Sequence, residues 1–284
     1  MTFVALSRAV SRRRTSSCCR VCKQLLPRQP QRAASSATPA ANLRDVDKEK
    51  FWADGFVRVD NVISNNTTVE LHERFDRLFR GDFDTGTYPD EWHWREGVSL
   101  PDATREIVNA WKSDTVVASV VLSPAIGRLV AELMGWSEGT RVGQDDALWK
   151  PAGAGGVGFH QDSVYISDQF LPRENNSVTV WIALDDADDS TGVVEYASGS
   201  HKWTSKPIGS MQDTSFHGED DVRAPVYRAA AACGVSRDDV RIESVDVPAG
   251  SCIIHHQDVW HGSGPNITTD RPRRALALHL IRCV

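Results

Sequence analysis

The sequence predicts a mainly β fold with flanking α-helices. Apolar residues recur with the helical period in several segments before residue 136, whereas beyond Thr140 they alternate with a period of two. Turns rich in Gly, Pro and Asp separate these later segments. A helical block followed by many short strands is typical of a sandwich or barrel of antiparallel sheets that helices buttress.

The first elements are expected to be a short helix over residues 47–54 and a strand at Phe56–Val59. A longer helix should run from Thr67 to Gly81, because Thr67 stands three residues before Glu70 in the order of a capping box. Two more helices are predicted, over residues 103–111 and 123–136. The predicted strands beyond Thr140 are residues 177–184, 192–196, 244–247, 251–255 and 274–281.

Residues 1–44 differ in composition from the rest of the chain. They contain eight Arg, one Lys and no acidic residue, whereas the remainder carries 23 basic and 38 acidic side chains. An Arg-rich and Ser-rich segment without acids is typical of an organelle transit peptide, and the apolar run before Arg8 is too short for a secretory signal. We therefore expect a mitochondrial transit peptide, followed by one domain over residues 45–284.

Two alternatives remain for this segment. A plastid is the second choice of organelle, and a disordered basic tail that is never cleaved would leave the protein cytoplasmic.

The composition restricts the classes of molecule that the protein is expected to bind. The chain is 40% hydrophobic and 25% charged, which is ordinary for a globular protein, and no stretch looks long and apolar enough to span a membrane. The acidic domain disfavours nucleic acid as a partner, since phosphate backbones attract positive charge. No motif indicates an obligate protein partner, so a small-molecule substrate is expected.

Three side chains that can bind a metal stand in two short motifs. His160 and Asp162 are two residues apart, and His261 follows about a hundred residues later. Residues i and i+2 of a strand lie on the same face, so an imidazole and a carboxylate could reach one ion. Two imidazoles and one carboxylate leave three coordination positions open, as in non-haem Fe(II) oxygenases that take an oxo-acid cosubstrate and dioxygen.

Two neighbouring histidines could compete for the metal. His256 lies five residues before His261 and should therefore point to the opposite face of a shared strand. His255 has the right parity but should lie roughly 20 Å along that strand, at about 3.3 Å per residue. Neither is expected to displace His261.

Three arginines follow the second motif, at Arg271, Arg273 and Arg274. A guanidinium there could hold the distal carboxylate of the cosubstrate through two parallel hydrogen bonds. On an alternating strand, Arg274 would face away from Arg273.

Taken together, these motifs resemble the phytanoyl-CoA dioxygenase family of Fe(II)/2-oxoglutarate oxygenases. The resemblance runs from Phe-Trp-Ala-Asp-Gly-Phe-Val at Phe51, through His-Gln-Asp at His160, to His-Gly-Ser-Gly-Pro-Asn at His261 and Arg-Arg-Ala-Leu at Arg273. It implies a double-stranded β-helix, the jelly roll of cupin-like proteins, with His160, Asp162 and His261 as iron ligands.

The resemblance also implies the cosubstrate contacts and the reaction. Arg273, with Arg271 and Arg274 as rivals, would bind 2-oxoglutarate together with the Ser263 hydroxyl. The remaining implied contacts are Trp181, for which core packing is the alternative, Gln161 and Lys150. Fe(II), 2-oxoglutarate and dioxygen, with ascorbate as a candidate reductant, would hydroxylate a substrate and release succinate and carbon dioxide.

The substrate is open between an acyl-CoA and a small metabolite, and the acidic domain slightly favours the metabolite. Residues 84–100 and 205–228 are expected to shape its pocket. The alternative functions are a non-catalytic jelly roll that binds a small molecule and a zinc-dependent hydrolase with the same ligands.

Overall fold

The computed structural model of the chain describes residues 47–203 and 221–284, which belong to one compact unit. Five α-helices lie in this part of the chain: α1 (Lys48–Asp54), α2 (Asn65–Leu78), α3 (Thr115–Val121), α4 (Pro124–Met134) and α5 (Ala224–Ala232). Residues 1–44, expected to be a transit peptide or tail, lie outside the described residues, as does most of segment 205–228.

The strands form two antiparallel sheets. The major sheet has the order β1-β9-β6-β11-β4-β3-β2, and the minor sheet has the order β5-β10-β7-β8. Their bounds are β1 (Phe56–Val59), β2 (Glu91–Trp92), β3 (Arg105–Val108), β4 (Thr140–Lys150), β5 (Val157–His160), β6 (Ser177–Ala183), β7 (Val194–Ala197), β8 (Ile242–Ser244), β9 (Cys252–His256), β10 (His261–Ser263) and β11 (Arg273–Arg282). The predicted mainly β fold with flanking helices is thereby confirmed.

The main core lies between the major sheet and the helices. Alternate residues of the central strands, among them Val180, Ile182 and Leu278, pack there against buried side chains of α2, α3 and α4. A second cluster joins the two sheets, with Trp181 from β6 and Tyr196 from β7 among its members. The major sheet is therefore covered on both faces.

The helix predicted over residues 103–111 was wrong. Its centre is β3, which pairs with β2 on one side and β4 on the other, and only Ala110–Lys112 forms a short 3₁₀ turn. The β-branched Ile107 and Val108 suit a strand, and pairing with β4 overrides the helical spacing. Helices α3 and α5 and strand β4 were not predicted.

The predicted start of the long helix was also wrong. Helix α2 begins at Asn65, and the Ser64 hydroxyl accepts a hydrogen bond from the Thr67 amide. Ser64 is thus the N-cap, and Thr67 lies in the first turn.

By length and composition one described segment, Thr115–Met134, is apolar enough to cross a membrane, contrary to the sequence-based expectation. It consists of α3 and α4, which are separate helices, and both contribute buried apolar side chains to the main core. That arrangement is typical of the core helices of a globular domain.

Candidate active site

The two histidines of the predicted triad are cross-strand neighbours in the minor sheet. His160 ends β5, His261 begins β10, and the two residues stand directly opposite each other, with ring centroids 4.3 Å apart. Asp162 does not extend the strand as predicted, because it begins a short 3₁₀ turn after β5. This turn brings its Oδ1 to 3.8 Å from Nε2 of His160 and 3.5 Å from Nε2 of His261.

All three ligand atoms lie within 4.8 Å of one another, the only such group of three in the part of the chain that the structure describes. The Nδ1 of His160 lies 2.9 Å from the Gly158 carbonyl oxygen, and the Nδ1 of His261 lies 3.0 Å from that of Val259. Because each Nδ1–H donates to a carbonyl, each Nε2 presents its lone pair to the cluster.

The pKa of both imidazoles is lowered to about 4, chiefly by burial. Interactions with neighbouring imidazoles contribute to the lowering, while Asp162 opposes it. For Asp162, burial acts to raise the pKa, but the interaction with His261 and the hydrogen bond from His255 hold it well below its usual value. The cluster therefore offers two neutral imidazoles and one carboxylate near neutral pH, which is the form that binds a metal.

The position predicted for His255 was wrong. Its Nε2 lies 3.0 Å from Oδ2 of Asp162, and its ring centroid lies 4.4 Å from that of His261. His255 belongs to β9 of the major sheet, and the chain crosses to the minor sheet before His261, so the two residues are not on one strand. His256 points away from the cluster, as predicted, and its Nε2 lies 2.7 Å from Oδ1 of Asn175.

Three further residues beside Asp162 were missed by the sequence analysis. The Thr179 hydroxyl donates to Oδ2 of Asp162 and lies 2.9 Å from Nδ1 of His279, whose Nε2 lies 2.8 Å from Oδ2 of Asp146. Burial acts to lower the pKa of His279, but the Asp146 hydrogen bond and the Asp162 charge raise it to about 9. The signal was present in β11, where His279 interrupts an otherwise apolar run.

Arg273 and Lys150 form a second part of the site. They are register partners on β11 and β4, and both are buried. Lys150 donates to the Ser263 hydroxyl at 2.8 Å and to the Gly264 carbonyl oxygen. Arg273 donates to the Gly192 carbonyl oxygen, while its Nε has no hydrogen-bond partner among the described residues.

The charge of Arg273 disfavours the protonated form of Lys150. Burial and the charge of Arg273 lower the pKa of Lys150 to about 6, and burial lowers the pKa of Arg273 to about 10. Neither forms an ion pair with any carboxylate of the described residues. A buried guanidinium without a counter-ion is unfavourable, and a bound anion would also favour the protonated form of Lys150, so this pocket suits an anionic ligand.

The other predicted contacts are divided between this pocket and its surroundings. Trp181 faces it, since the Arg273 guanidinium carbon lies 5.3 Å from the Trp181 ring centroid. The Gln161 amide donates to the Asp258 carbonyl oxygen. Arg271 is exposed and pairs with Asp188, so it does not reach the pocket.

Arg274 lies on the opposite face of β11 from Arg273. Its guanidinium pairs with Asp185 at 2.8 Å. Arg273 is thus the arginine of the three that faces the interior.

Comparison with known proteins agrees with this geometry. The family model for phytanoyl-CoA dioxygenase matches residues 51–275. A probable alpha-ketoglutarate-dependent hypophosphite dioxygenase of Stutzerimonas stutzeri is 25% identical over 231 residues, 80% of this chain and 74% of that protein. A phytanoyl-CoA dioxygenase domain-containing protein 1 homolog of Caenorhabditis elegans is 23% identical over 268 residues, covering 82% and 89% of the two chains.

Solved structures show the same fold. The alpha-ketoglutarate-dependent epimerase SnoN of nogalamycin biosynthesis superposes with a TM-score of 0.60 at 20% identity, covering 82% of this chain and 81% of that one. EctD from S. alaskensis gives a TM-score of 0.60 at 18% identity, with 82% and 75% covered. The jelly roll expected from the resemblance is confirmed, and since the family model spans most of the chain, this protein belongs to the phytanoyl-CoA dioxygenase family.

Proposed function

We propose that His160, Asp162 and His261 bind Fe(II), that 2-oxoglutarate binds in the Arg273 and Lys150 pocket, and that the protein hydroxylates a small organic substrate. The observation that carries this proposal is the buried Arg273 guanidinium without a counter-ion, with the buried Lys150 amine beside it, together with a largely buried three-ligand cluster. A doubly anionic cosubstrate would supply the missing negative charge. Family membership supports the same reaction class.

The donor set fits ferrous iron. Two imidazole nitrogens and one carboxylate oxygen match the facial arrangement of non-haem Fe(II) oxygenases and leave three positions for the cosubstrate and dioxygen. When bound, iron would activate dioxygen as the oxidant: one oxygen atom would convert 2-oxoglutarate to succinate and carbon dioxide, and the other would convert a C–H bond of the substrate to C–OH.

The protein's own residues position the reactants. Arg273 would hold the distal carboxylate, with Ser263 and Lys150 beside it, and the buried Trp181 would close this end of the pocket to water. The Nδ1 hydrogen bonds of His160 and His261 keep both rings oriented toward the metal. The chain thus contributes placement and exclusion of water.

The proposal is tested on the full chain with Fe(II), 2-oxoglutarate and ascorbate. We expect slow release of succinate without any added substrate and loss of this release in His160→Ala. His72→Ala is the matched control, because His72 is a histidine of α2 that lies outside the cluster and pairs with Asp185. Turnover with zinc in the absence of oxygen would instead indicate a hydrolase, and ligand binding without turnover would indicate a non-catalytic jelly roll.

We propose a small metabolite rather than an acyl-CoA as the substrate, on the basis of the acidic domain. The test compares 2-oxoglutarate consumption in the presence of fractionated metabolite extract and of an acyl-CoA panel. Acceleration by the acyl-CoA panel alone would contradict this preference.

We also propose that residues 1–44 direct the protein to mitochondria, on the basis of their Arg-rich, acid-free composition. A fluorescent protein fused after residue 44 should enter mitochondria. Residence of that fusion in plastids or in the cytoplasm would contradict the proposal.

A further inference from the structure

The two oxygens of Asp162 have different surroundings. Oδ1 faces the Nε2 atoms of both ligand histidines, whereas Oδ2 faces the major sheet. There it accepts hydrogen bonds from the Thr179 hydroxyl and from Nε2 of His255. Asp162, Thr179 and His255 are all buried, so water does not compete for either of these two hydrogen bonds.

The hydrogen atoms in this network can be assigned by counting donors. Because the Thr179 hydroxyl donates its single hydrogen to Asp162, its oxygen accepts from Nδ1–H of His279. The Nε2 of His279 lies 2.8 Å from Oδ2 of Asp146, which anchors the other side of the ring.

The ring of His255 is held in a similar way. Its Nε2–H donates to Asp162, and its Nδ1 lies 3.1 Å from the Tyr196 hydroxyl. Tyr196 is held in turn by stacking on Phe56, with ring centroids 4.4 Å apart. Two hydrogen bonds thus converge on Oδ2 of Asp162, and a second contact anchors each of the donor side chains.

This matters because a carboxylate can bind a metal through one oxygen or through two. A metal with three protein ligands has three positions left, and a bidentate oxo-acid together with dioxygen would need all of them. A second bond from Oδ2 would occupy one of these positions. To form it, the carboxylate would have to leave two buried hydrogen bonds.

We propose that Thr179 and His255 are positioning residues that restrict Asp162 to one-oxygen coordination of the metal, with Tyr196 and the His279–Asp146 pair holding these two side chains in place. This inference rests on the proposed function, because it concerns the same metal. It assigns the major sheet a role in the metal centre although His160 and His261 come from the minor sheet.

The test uses two pairs of variants of the full chain. Thr179→Val removes the hydroxyl at nearly constant shape and Thr179→Ser keeps it; His255→Phe removes the ring donor and His255→Gln keeps a donor. Thr68→Val is the matched control, because Thr68 carries a buried hydroxyl on α2 that donates to the Ser64 carbonyl oxygen. Co(II) serves as an anaerobic probe, since its visible absorption weakens as its coordination number rises.

We expect Thr179→Val and His255→Phe each to weaken Co(II) binding by about 10-fold, and the double variant by up to about 100-fold. Their Co(II) spectra should weaken, and 2-oxoglutarate should bind the Co(II)-loaded variants less tightly. Thr179→Ser and His255→Gln should restore most of each property, and Thr68→Val should change none of them.

If Thr179→Val and His255→Phe keep the wild-type Co(II) affinity, spectrum and 2-oxoglutarate affinity, the inference is wrong while the proposed function stands. If the wild-type chain itself binds neither Co(II) nor Fe(II) with 2-oxoglutarate, the proposed function fails instead. Should one of the two substitutions prevent folding, the other pair tests the same oxygen independently.

Discussion

The two faces of the major sheet are both buried, yet they differ in the number of polar side chains that they carry. The face toward the helices is largely apolar, and its residues include Val178, Val180, Ile182, Ile254, Leu276, Leu278 and Leu280. The face toward the minor sheet carries Asp146, Lys150, Thr179, His255, Arg273 and His279. Neighbouring residues of a single strand thus serve different purposes, since one face stabilises the fold and the other holds the chemistry.

The face toward the minor sheet is called the inner face. Its polar groups can be buried because most of them form hydrogen bonds with one another. Thr179, His255 and His279 are connected through Asp162 and Asp146. Arg273 and Lys150 are the exception, since the Arg273 charge has no counter-ion in the described residues and Lys150 forms no ion pair there. The difference between faces teaches that burial alone does not identify core residues, and that unsatisfied buried charge indicates where a ligand belongs.

The largest change in stability is expected from a substitution on the apolar face of the major sheet. Leu278→Ala removes a fully buried side chain of β11 and should lower the free energy of unfolding by about 2–5 kcal/mol. Affinity for 2-oxoglutarate and Fe(II) should not change, as measured at a temperature where the variant is folded. A large loss of cosubstrate affinity in folded protein would mean that the two faces are not independent.

The second-largest change is expected in cosubstrate affinity, when Arg273→Leu alters the inner face. It should weaken 2-oxoglutarate binding by about 30-fold or more, equivalent to about 2 kcal/mol or more for loss of a buried charge partner. Stability should be unchanged or higher, because a buried cation without a counter-ion is removed. Isothermal titration and urea unfolding measure the two quantities.

The control for that prediction is Arg274→Leu on the opposite face. It removes the ion pair with Asp185 and should lower stability while leaving cosubstrate affinity unchanged. The reverse pattern would assign the cosubstrate to Arg274.

A pH effect follows from Lys150. Its pKa is lowered from 10.5 to about 6 in the folded chain, so the unfolded chain binds one proton more between these values. Unfolding free energy should therefore rise with pH in that window, by at most about 1.4 kcal/mol per pH unit. Lys150→Met should flatten this dependence in urea titrations at pH 6.5, 7.5 and 8.5 without cosubstrate.

Lys48→Met, at an exposed lysine, is the matched control and should keep the wild-type slope. An unchanged slope in Lys150→Met would show that Lys150 is not buried as a neutral amine.

The smallest change in stability is expected from the loss of a helix cap. Ser64→Ala removes the acceptor for the Thr67 amide at the start of α2 and should lower the free energy of unfolding by about 1 kcal/mol. Succinate release per folded protein should stay at the wild-type value, because α2 packs only on the apolar face. A drop in turnover would show that the helical layer shapes the inner face.

Sequence reasoning succeeded where the information was local. The alternation in β11 placed Arg273 and Arg274 on opposite faces, and short motifs selected His160, Asp162 and His261. It failed where pairing partners decided the outcome, as in β3, which took strand form beside β4. The 20 Å separation predicted between His255 and His261 was wrong for the same reason, because residue spacing does not show where the chain passes from one sheet to the other.

By itself, the sequence determined the fold class, the family and the side chains available to a metal and an oxo-acid. These follow from periodicity and from residue types at fixed short spacings, which are properties of neighbouring residues. Only the tertiary structure decided that His255 of β9 contacts Asp162 and that Thr179 and His279 lie beside the same carboxylate oxygen. The physical reason is that these contacts join strands of different sheets, whose distances depend on how the whole sandwich packs.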